Sequence, residues 1–386
     1  MKAIPYGRQS INQADIDCVI DTLKSEFLTQ GPKINEFEHE FANYVDSKYA
    51  VAVSNGTAAL HLCALALGVN EGQKVITTPI TFAASANCVL YCGGEVEFAD
   101  IDPETGLIDL DYVEKLLENN PKGTYAGLIP VDFAGLPVNM ERAKELADKH
   151  NLWIIEDACH APGGYFTDST GSEQFCGNGE FADLAIFSFH PVKHIAAGEG
   201  GMITTNNKEL YDKLIRLRTH GITKDPSLLE ENHGGWYYEM QELGYNYRIS
   251  DLNASLALSQ LGRAEQGLQR RKEIANRYYD AFRDTCIKVL NPPSDGGHAY
   301  HLFIIKIKER KEVYDHLRNY KIFAQVHYIP VHLLPYYKKM GWKKGLLPCS
   351  EKYYEECLSL PMYPTLSNDE QDFVIRTIKE HYGIRG

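Results

Sequence analysis

The sequence predicts an α/β protein with a mostly parallel central sheet flanked by helices, followed by a smaller C-terminal α+β domain. Short β-rich runs alternate with stretches of helical periodicity from residue 49 to residue 218, which is typical of a parallel sheet covered on both faces. Residues 291–297 combine two prolines with two glycines and form the clearest linker in the chain. The length of 386 residues also suggests two or three domains, at about 150 residues per domain.

The elements are taken in order from the N-terminus. In residues 12–24 the apolar side chains Ile16, Val19, Ile20 and Leu23 recur at helical spacing, and residues 35–44 form a second helix. The strands that follow are residues 49–54, 74–78, 96–99, 125–131, 153–155, 184–189 and 202–205. The helices between and after them are residues 58–67, 81–91, 110–117, 140–150 and 208–218.

The second half of the chain has a different pattern. A long helix over residues 252–282, capped at Ser250 or Asp251, is predicted to connect the two domains. Beyond the linker we predict a strand at 300–307, a helix at 311–320, a strand at 324–328 and a final helix at 369–382. We therefore assign residues 1–250 to an N-terminal arm and a large domain, and residues 251–386 to the connecting helix and a small domain.

Charge and cysteine content restrict the partners and the compartment. The 39 basic and 52 acidic residues give a net charge of −13, which argues against nucleic acid or an anionic membrane as a partner. Any anionic ligand therefore requires a local site. Apolar runs of the ~20 residues that a membrane-spanning helix needs are absent from the sequence. The nine scattered cysteines and a start without the apolar stretch of a signal peptide predict a cytoplasmic protein.

Two pairs of residues have the spacing of metal ligands. Cys88 and Cys92 lie one helical turn apart, but no second pair with ligand spacing follows them, so small core residues are the simpler interpretation. His190 and His194 flank Pro191, which disfavours a shared helical face. We therefore predict no metal site.

The first predicted strand is followed by Asn55, Gly56 and Thr57 and then by a helix. Backbone N–H groups at a helix start bind phosphate through their unpaired donors, and glycine lets an anion approach the backbone. An ordinary capped helix in a βα unit is the alternative. The G-x-G-x-x-G pattern of dinucleotide-binding proteins is absent from the sequence.

Asp157 lies at the end of the predicted strand 153–155, where ligands of parallel sheets bind. A helix N-cap is the alternative interpretation of such an aspartate. Cys159 and His160 follow immediately, but they are neighbours in sequence and do not converge from separate elements, so we discount a cysteine hydrolase.

A lysine follows the predicted buried strand 184–189. Pro191 ends that strand, and Lys193 precedes a glycine-rich turn at residues 198–201 and a second apolar run. Lysine is almost never fully buried unless it is paired, and a desolvated lysine loses its proton and becomes an amine that forms Schiff bases. A solvated loop lysine is the alternative.

Five ordered motifs extend through the chain. They are Ser-Asn-Gly-Thr at 54–57, Thr-Pro-Ile-Thr-Phe at 78–82, Glu-Asp-Ala at 156–158, Ser188 five residues before Lys193, and Gly-Tyr-Asn-Tyr-Arg at 244–248. Together they resemble the sugar aminotransferases of the DegT/DnrJ/EryC1/StrS family, which are pyridoxal 5′-phosphate (PLP) enzymes with the aspartate-aminotransferase-like PLP-dependent transferase fold. The resemblance covers nearly the whole chain.

The resemblance implies PLP as cofactor and gives each motif a role. Lys193 would hold PLP as a Schiff base and then move the proton between substrate and cofactor. Asp157 would keep the pyridine nitrogen protonated, so that the ring accepts electrons. The backbone at Gly56 and Thr57, with the Ser188 hydroxyl, would bind the cofactor phosphate.

Three further residues take implied roles in cofactor binding. Phe82 would stack on the PLP ring, an arrangement that aromatic rings favour when they are offset. Asn246 resembles the residue that reaches the phosphate from the neighbouring subunit, which implies a homodimer with shared active sites. His160 stands where the family often has Gln, so it is a candidate for a hydrogen bond to the PLP 3′ oxygen.

Candidate contacts to the substrate are Tyr6, Arg248 and His327. Each has a structural alternative. In that alternative Tyr6 packs an N-terminal arm, Arg248 caps a helix or forms an ion pair, and His327 is a strand histidine whose ring nitrogens are hydrogen-bonded within the fold.

Within the family, residues 76–87, 187–190 and 324–328 are similar to those of aminotransferases on the pathway to pseudaminic acid. We therefore expect amino transfer from L-glutamate to C4 of a UDP-linked 4-keto-6-deoxy-N-acetylhexosamine. The alternatives are a PLP-dependent sugar dehydratase, an aminotransferase for another nucleotide-linked keto sugar (dTDP- or GDP-linked, at C3 or C4), and a non-catalytic scaffold that kept the fold. Dehydratase relatives carry histidine in place of the lysine, and His190 and His194 have no role assigned from the sequence.

Overall fold

A seven-stranded sheet lies at the centre of the computed structural model, which describes residues 3–290 and 297–384. From one edge to the other, its strands are Tyr49–Val53, Gly201–Thr205, Leu184–Ser188, Trp153–Asp157, Tyr125–Ile129, Lys74–Thr77 and Glu95–Phe98. Gly201–Thr205 is antiparallel to both of its neighbours, and every other adjacent pair is parallel. The predicted mostly parallel sheet is confirmed.

Helices cover both faces of this sheet. They are Gln13–Lys24, Pro32–Val45, Gly56–Ala66, Ala84–Tyr91, Leu110–Glu118, Met140–His150, Lys208–Arg218, Asp251–Leu261 and Ala264–Phe282. Consecutive residues of the strand Leu184–Ser188 point into different cores: Ile186 packs with one group of apolar side chains, and Phe187 packs with Phe37 and Phe41 on the opposite face. Burial on both faces explains why this strand is an uninterrupted apolar run.

A second core belongs to the C-terminal part of the chain. A three-stranded antiparallel sheet consists of Lys288–Val289, Phe303–Lys306 and Cys357–Leu360, and the helices are Arg310–Asn319, Pro335–Lys339, Pro348–Glu356 and Asn368–His381. The N-terminal strand Ile4–Pro5 pairs in parallel with Ile322–Phe323 of this part. This pairing holds the N-terminal segment that leads to Tyr6 against the C-terminal part of the chain.

Shorter elements complete the fold. Tyr165–Thr167 pairs with Glu173–Phe175, Ile222–Thr223 pairs with Glu239–Met240, and 3₁₀ turns occupy Phe133–Gly135 and Val331–Leu333. No helix in residues 3–290 and 297–384 combines the length and the apolar character needed to cross a bilayer.

The single long helix predicted over residues 252–282 is wrong, because the structure has two helices with a break at Gly262 and Arg263. Arg263 is not helical, and its guanidinium bonds to the carbonyl of Ser10 and the carboxylate of Asp15. These contacts hold the N-terminal segment against the break. The predicted domain boundary after residue 250 stays a prediction.

The strand predicted at 324–328 is wrong, because the strand of this region is Ile322–Phe323 and ends before the predicted range. Within residues 324–328, the described structure has only an isolated bridge between Gln325 and Ser359. The predicted linker lies outside the described residues except for Gly297, which pairs with Tyr165.

Candidate active site

A cavity of about 980 Å³ opens at the carboxyl ends of the parallel strands. Tyr6 and residues 325–329 of the C-terminal part of the chain also line it. Nine of the predicted site residues line this cavity: Tyr6, Gly56, Thr57, Phe82, Asp157, His160, Ser188, Lys193 and His327. Its size falls in the range of small-molecule sites, and its position is where ligands of open α/β sheets bind.

The helix Gly56–Ala66 begins at one wall of the cavity. The Asn55 side chain accepts a hydrogen bond from the Ala58 N–H at 2.8 Å, which is an N-cap. The N–H groups of Gly56 and Thr57, in the same first turn, have no acceptor within the helix. A Cβ on Gly56 would lie 3.1 Å from the Cβ of Ser188, so only glycine leaves this space open.

Asp157 is buried at the end of its strand. The Ser85 hydroxyl donates to Asp157 Oδ2 at 2.6 Å, and the Cys159 N–H donates to Oδ1 at 3.2 Å. Thr81 is in turn hydrogen-bonded to Ser85 at 2.8 Å. A turn follows Asp157, so the aspartate does not cap a helix. Its carboxylate is held in one orientation at the cavity wall.

Lys193 lies in the turn after the strand Leu184–Ser188, where its N–H donates to the carbonyl of His190 at 2.8 Å. Burial lowers the pKa of the Lys193 amine, while Cys159 and Asp157 act in the opposite direction and Arg271 adds to the lowering. A lysine in this setting is more often neutral than an exposed lysine, which is the property that nucleophilic and proton-transferring lysines need.

His160 and Tyr328 form a pair that lines the cavity. The Tyr328 hydroxyl lies 3.2 Å from Nε2 of His160, and the Ala134 N–H donates to Nδ1 at 3.2 Å. Burial, with the nearby cationic Lys193, lowers the pKa of His160 well below its usual value. His301 lies against the same histidine, with ring centroids 4.3 Å apart, and also lines the cavity.

The two histidines that flank Lys193 differ. His190 is exposed and lines the cavity. Nε2 of His194 lies 2.7 Å from the carbonyl oxygen of Ala299 and donates a hydrogen bond to it. His194 thus ties the lysine segment to the C-terminal part of the chain, which is a structural role.

The candidate substrate residues are divided between two locations. Tyr6 and His327 line the cavity with ring centroids 5.0 Å apart, and His327 Nδ1 bonds to the Ser359 hydroxyl at 2.9 Å. Burial lowers the pKa of His327 to about 3. Arg248 and Asn246 lie outside the cavity lining and form isolated bridges with Val53 and Thr219.

Phe82 projects a largely exposed ring, 64% accessible, into the cavity. Its ring centroid lies 6.4 Å from that of Tyr328. An exposed aromatic ring at a cavity wall offers a face on which a flat ligand can stack.

A buried acidic group lies next to the site. Asp132, Glu156 and Cys176 each place one potential ligand atom within 4.8 Å of the others. Burial raises the pKa of both carboxyl groups, and the charge of Asp132 raises that of Glu156 further. Because Asp132 also accepts the Val138 N–H at 2.8 Å, we interpret the group as a structural pair.

Sequence reasoning missed Ser85, Tyr328 and His301. Ser85 and Thr81 stand four residues apart beside the Thr-Pro-Ile-Thr-Phe motif, and Tyr328 ends the segment 324–328, so the signals were adjacent to motifs already noted. Their contacts to Asp157 and His160 depend on tertiary structure.

Comparison with known proteins agrees with this geometry. The model of the DegT/DnrJ/EryC1/StrS aminotransferase family matches residues 9–379. The chain belongs to the DegT/DnrJ/EryC1/StrS aminotransferase family. The scaffold alternative loses its support, because the protein is an aminotransferase by family and keeps the lysine, aspartate and serine of the motifs.

Two relatives resemble this aminotransferase over nearly their whole length. The spore coat polysaccharide biosynthesis protein SpsC of Bacillus subtilis is 39% identical over 98% of this chain and 96% of its own. The UDP-4-amino-4,6-dideoxy-N-acetyl-beta-L-altrosamine transaminase of Campylobacter jejuni is 37% identical over 97% of this chain and 96% of its own.

Solved structures are also similar to this aminotransferase over nearly its whole length. The PLP form of Spr1654 from Streptococcus pneumoniae superposes with a TM-score of 0.89 at 29% identity, covering 98% of each chain. PseC of Helicobacter pylori, an aminotransferase involved in the biosynthesis of pseudoaminic acid, has a TM-score of 0.88 at 28% identity, covering 99% of this chain and 100% of its own.

Proposed function

We propose that this aminotransferase uses PLP to move the amino group of L-glutamate to C4 of a UDP-linked 4-keto-6-deoxy-N-acetylhexosamine, in a pathway of the pseudaminic acid type. The observation that carries the proposal is one cavity that contains Lys193, the buried carboxylate of Asp157 and the helix start at Gly56. The choice of sugar rests on the similarity to the Campylobacter jejuni transaminase and to PseC.

The residues of the cavity fit PLP. The N–H groups of Gly56 and Thr57 suit the phosphate, and the open space beside Ser188 lets it approach the backbone. The buried Asp157 suits a protonated ring nitrogen, because a charge-assisted hydrogen bond is strong in such surroundings. When bound, PLP supplies an aldehyde that accepts amines and a ring that withdraws electrons from the carbon beside them.

Lys193 is the proton carrier in this proposal. Its lowered pKa makes the neutral amine available as a general base, which takes the proton from the α-carbon of glutamate. Glutamate then leaves as 2-oxoglutarate, with its keto oxygen supplied by water and its amino group kept at the cofactor. In the second half of the reaction the Lys193 amine delivers a proton to C4 of the sugar, and the ketone oxygen leaves as water as the amine is formed. Asp157, fixed by Ser85, keeps the ring nitrogen protonated throughout.

A homodimer with shared active sites is part of the proposal. Asn246 and Arg248 lie outside the cavity of their own chain, and the segment before them exposes Trp236 and Leu243, which are 75% and 76% accessible. Large apolar side chains that remain exposed are typical of a surface covered by a partner. We therefore place Asn246 and Arg248 at the cavity of a second copy.

A cytoplasmic location is also proposed. All nine cysteines are free, and several, such as Cys88 and Cys63, are buried beside each other in the core without a disulfide. Free thiols of this kind are typical of a reducing compartment.

Another nucleotide-linked keto sugar is the second candidate substrate, favoured by the higher identity to SpsC, whose name refers to spore coat polysaccharide. A sugar dehydratase is a weaker candidate, because Lys193 stands at the position where dehydratase relatives carry histidine.

The test is an assay of the PLP-loaded protein with glutamate and a panel of UDP-, dTDP- and GDP-linked 3-keto and 4-keto sugars. We expect one equivalent of 2-oxoglutarate for each amino sugar, with the UDP-linked 4-keto-6-deoxy-N-acetylhexosamine turned over fastest and NMR locating the amine at C4. A deoxy sugar without 2-oxoglutarate would indicate the dehydratase. A protein that remains colourless with PLP, and shows no colour that borohydride bleaches, would refute PLP chemistry altogether.

A further inference from the structure

A second cavity, of about 230 Å³, borders the segment that carries Lys193. It is smaller than the cavities of drug-sized ligands, which are about 300–1,000 Å³, so it suits a ligand of few atoms. Its walls come from the N-terminal segment, from the break between the helices Asp251–Leu261 and Ala264–Phe282, and from Pro364. Among the residues that line it, only Lys193 also lines the main cavity.

The charged side chains that line this second cavity are basic. They belong to Arg8, Lys193, Arg263 and Arg270, and no carboxylate of the described residues joins them in the lining. His194 lines it as well, but burial lowers the pKa of this ring and keeps it neutral. The whole chain has a net charge of −13, so the cavity is a local reversal of that charge. Such a reversal attracts an anion.

Arg8 has the guanidinium that is most available to a ligand. Within residues 3–290 and 297–384 it has no hydrogen bond and no ion pair, and it lies 5.7 Å from the centroid of the Tyr363 ring. All of its donors are therefore free. A guanidinium in this state binds phosphate or carboxylate oxygens through two parallel hydrogen bonds.

The other two arginines are already held in place. Nη2 of Arg263 donates to the carbonyl of Ser10 at 2.5 Å and also to the carboxylate of Asp15, while Nη1 has no partner among the described residues. Nη1 of Arg270 donates to Glu273 at 2.9 Å. Asp15 and Glu273 balance part of the charge, but the two guanidinium groups are fixed before a ligand arrives. Groups that are fixed in advance lower the entropic cost of binding.

A buried cation adds to the positive charge of this region. Arg271 is 1% exposed, and no carboxylate of the described residues pairs with it. Its charge lowers the pKa of Lys193 and of His194, which both line the second cavity. The acceptors of its Nη1 are three backbone carbonyls, those of Tyr300, His301 and Met362. A buried charge without a counter-charge is costly, so an anion bound nearby would offset part of that cost.

We propose that the second cavity binds a phosphate group, supplied either by inorganic phosphate or by a small phosphomonoester. Phosphate suits it better than a carboxylate, because more oxygens can accept from guanidinium groups that belong to different segments. This site is separate from the cofactor phosphate site at Gly56, which lines the main cavity. Because Lys193 lines both cavities, the bound anion also favours the charged form of its amine.

Calorimetric titration of the PLP-loaded protein at constant ionic strength tests the site. The ligands are inorganic phosphate, glycerol phosphate and acetate. We expect one phosphate per chain and binding of acetate that is weaker by ~10-fold or more. Arg8→Gln should raise the dissociation constant of phosphate by ~10-fold or more, because a charge-assisted pair of hydrogen bonds is lost. Tighter binding of glycerol phosphate than of inorganic phosphate would identify a phosphomonoester as the ligand, and the reverse would identify free phosphate.

Arg376→Gln is the matched control, because Arg376 is an exposed arginine outside this lining that lies 3.9 Å from Glu380. It should bind phosphate as the wild type does, and a urea midpoint of Arg8→Gln close to its own shows that the fold is intact. Gly56→Ala should also keep the wild-type affinity for phosphate. Equal affinities in Arg8→Gln and the wild type, or loss of binding in Gly56→Ala alone, would overturn the inference.

A second measurement follows the effect on Lys193 and rests on the proposed function. Saturating phosphate should raise the apparent pKa in the pH titration of the visible absorbance by about half a unit, relative to chloride at the same ionic strength. Arg8→Gln should abolish the rise. The groups whose charge or titration acts with Lys193 are Asp157, Cys159, His160, His194, Arg271, His301 and His327.

The two measurements separate the possible failures. Phosphate binding without a change in the titration would overturn the effect on Lys193. A wild-type protein without a visible band would contradict the proposed function, and the calorimetric comparison of Arg8→Gln with Arg376→Gln would still decide the phosphate site.

Discussion

The two sides of the cavity offer different chemistry to a ligand. The phosphate side, formed by Gly56, Thr57 and Ser188, offers backbone N–H groups at a helix start and a hydroxyl. The histidine side, formed by His160, His301 and Tyr328, consists of two buried histidine rings that burial keeps neutral and one half-buried tyrosine. An anion is therefore favoured on the first side, and an uncharged or hydrogen-bond-accepting group on the second. Under the proposed function, this asymmetry favours one orientation of PLP, with its phosphate on the first side.

The largest expected effect comes from Lys193, which lies between the two sides. Lys193→Ala should reduce the rate of amino transfer by ~10³-fold or more, because the general base and the covalent attachment are both lost. The measurement is the rate of 2-oxoglutarate release at saturating glutamate. Lys144→Ala, which removes an exposed lysine paired with Asp148, is the control and should retain full activity. Appreciable turnover in Lys193→Ala would refute its role.

The next effect concerns the carboxylate between the two sides. Asp157→Asn should reduce kcat by ~10²-fold, because a neutral amide no longer holds the ring nitrogen protonated. Ser85→Ala should reduce it by ~10-fold, because it removes one hydrogen bond to a charged group. Steady-state kinetics of both variants provide the comparison. If Ser85→Ala were the more damaging, the carboxylate would be a structural group.

The buried histidines, on the histidine side and near it, should also make stability depend on pH. Burial lowers the pKa of His160, His194, His301, and that of His298 and His327 to about 3, whereas the unfolded chain protonates them near 6.5. Below about pH 6.5 the unfolded state therefore binds more protons than the folded state. The free energy of unfolding is therefore highest above about pH 6.5, where these histidines are neutral in both states. It decreases as the pH falls, by up to about 1.4 kcal/mol per pH unit for each histidine.

Urea unfolding between pH 6.5 and 4.5 measures this dependence. His298→Asn isolates one residue, because the amide oxygen can still accept the Tyr300 N–H that His298 Nδ1 accepts at 2.9 Å. In the variant, the slope of the unfolding free energy against pH should be smaller, because about one proton fewer is taken up on unfolding. An unchanged slope would mean that His298 is protonated in the folded state.

The smallest effects test the phosphate side. Gly56→Ala should raise the dissociation constant of PLP by ~10-fold, because its Cβ would lie 3.1 Å from Ser188 and would fill the approach of the phosphate. Gly267→Ala is the control within the helix Ala264–Phe282, where a Cβ has ordinary contact at 3.7 Å. It should leave PLP binding unchanged and raise the unfolding free energy by about 0.5–1 kcal/mol. Equal PLP affinities for the two variants would exclude phosphate binding at Gly56.

Much of the phosphate side and the central sheet follows from local sequence. A β-rich run, Asn55-Gly56-Thr57 and a helix predict a strand, a turn and a helix start, because each signal involves residues within a few positions of one another. Asp157 and Lys193 follow apolar runs, and the carboxyl ends of parallel strands meet at one edge of a sheet. Their common location could therefore be predicted without coordinates.

The histidine side required the tertiary structure. Ser85 is 72 residues from the aspartate that it orients, and Tyr328 is 168 residues from His160. No periodicity or turn signal joins positions so distant. The break at Gly262 has a similar origin, because contacts of Arg263 with Ser10 and Asp15 reach across the chain to a helix end that local propensity alone would continue. The sequence by itself determined the elements and their order, since these depend on short-range periodicity. The partners of each buried polar group were decided only by packing, because distant segments must meet before their donors and acceptors can be paired.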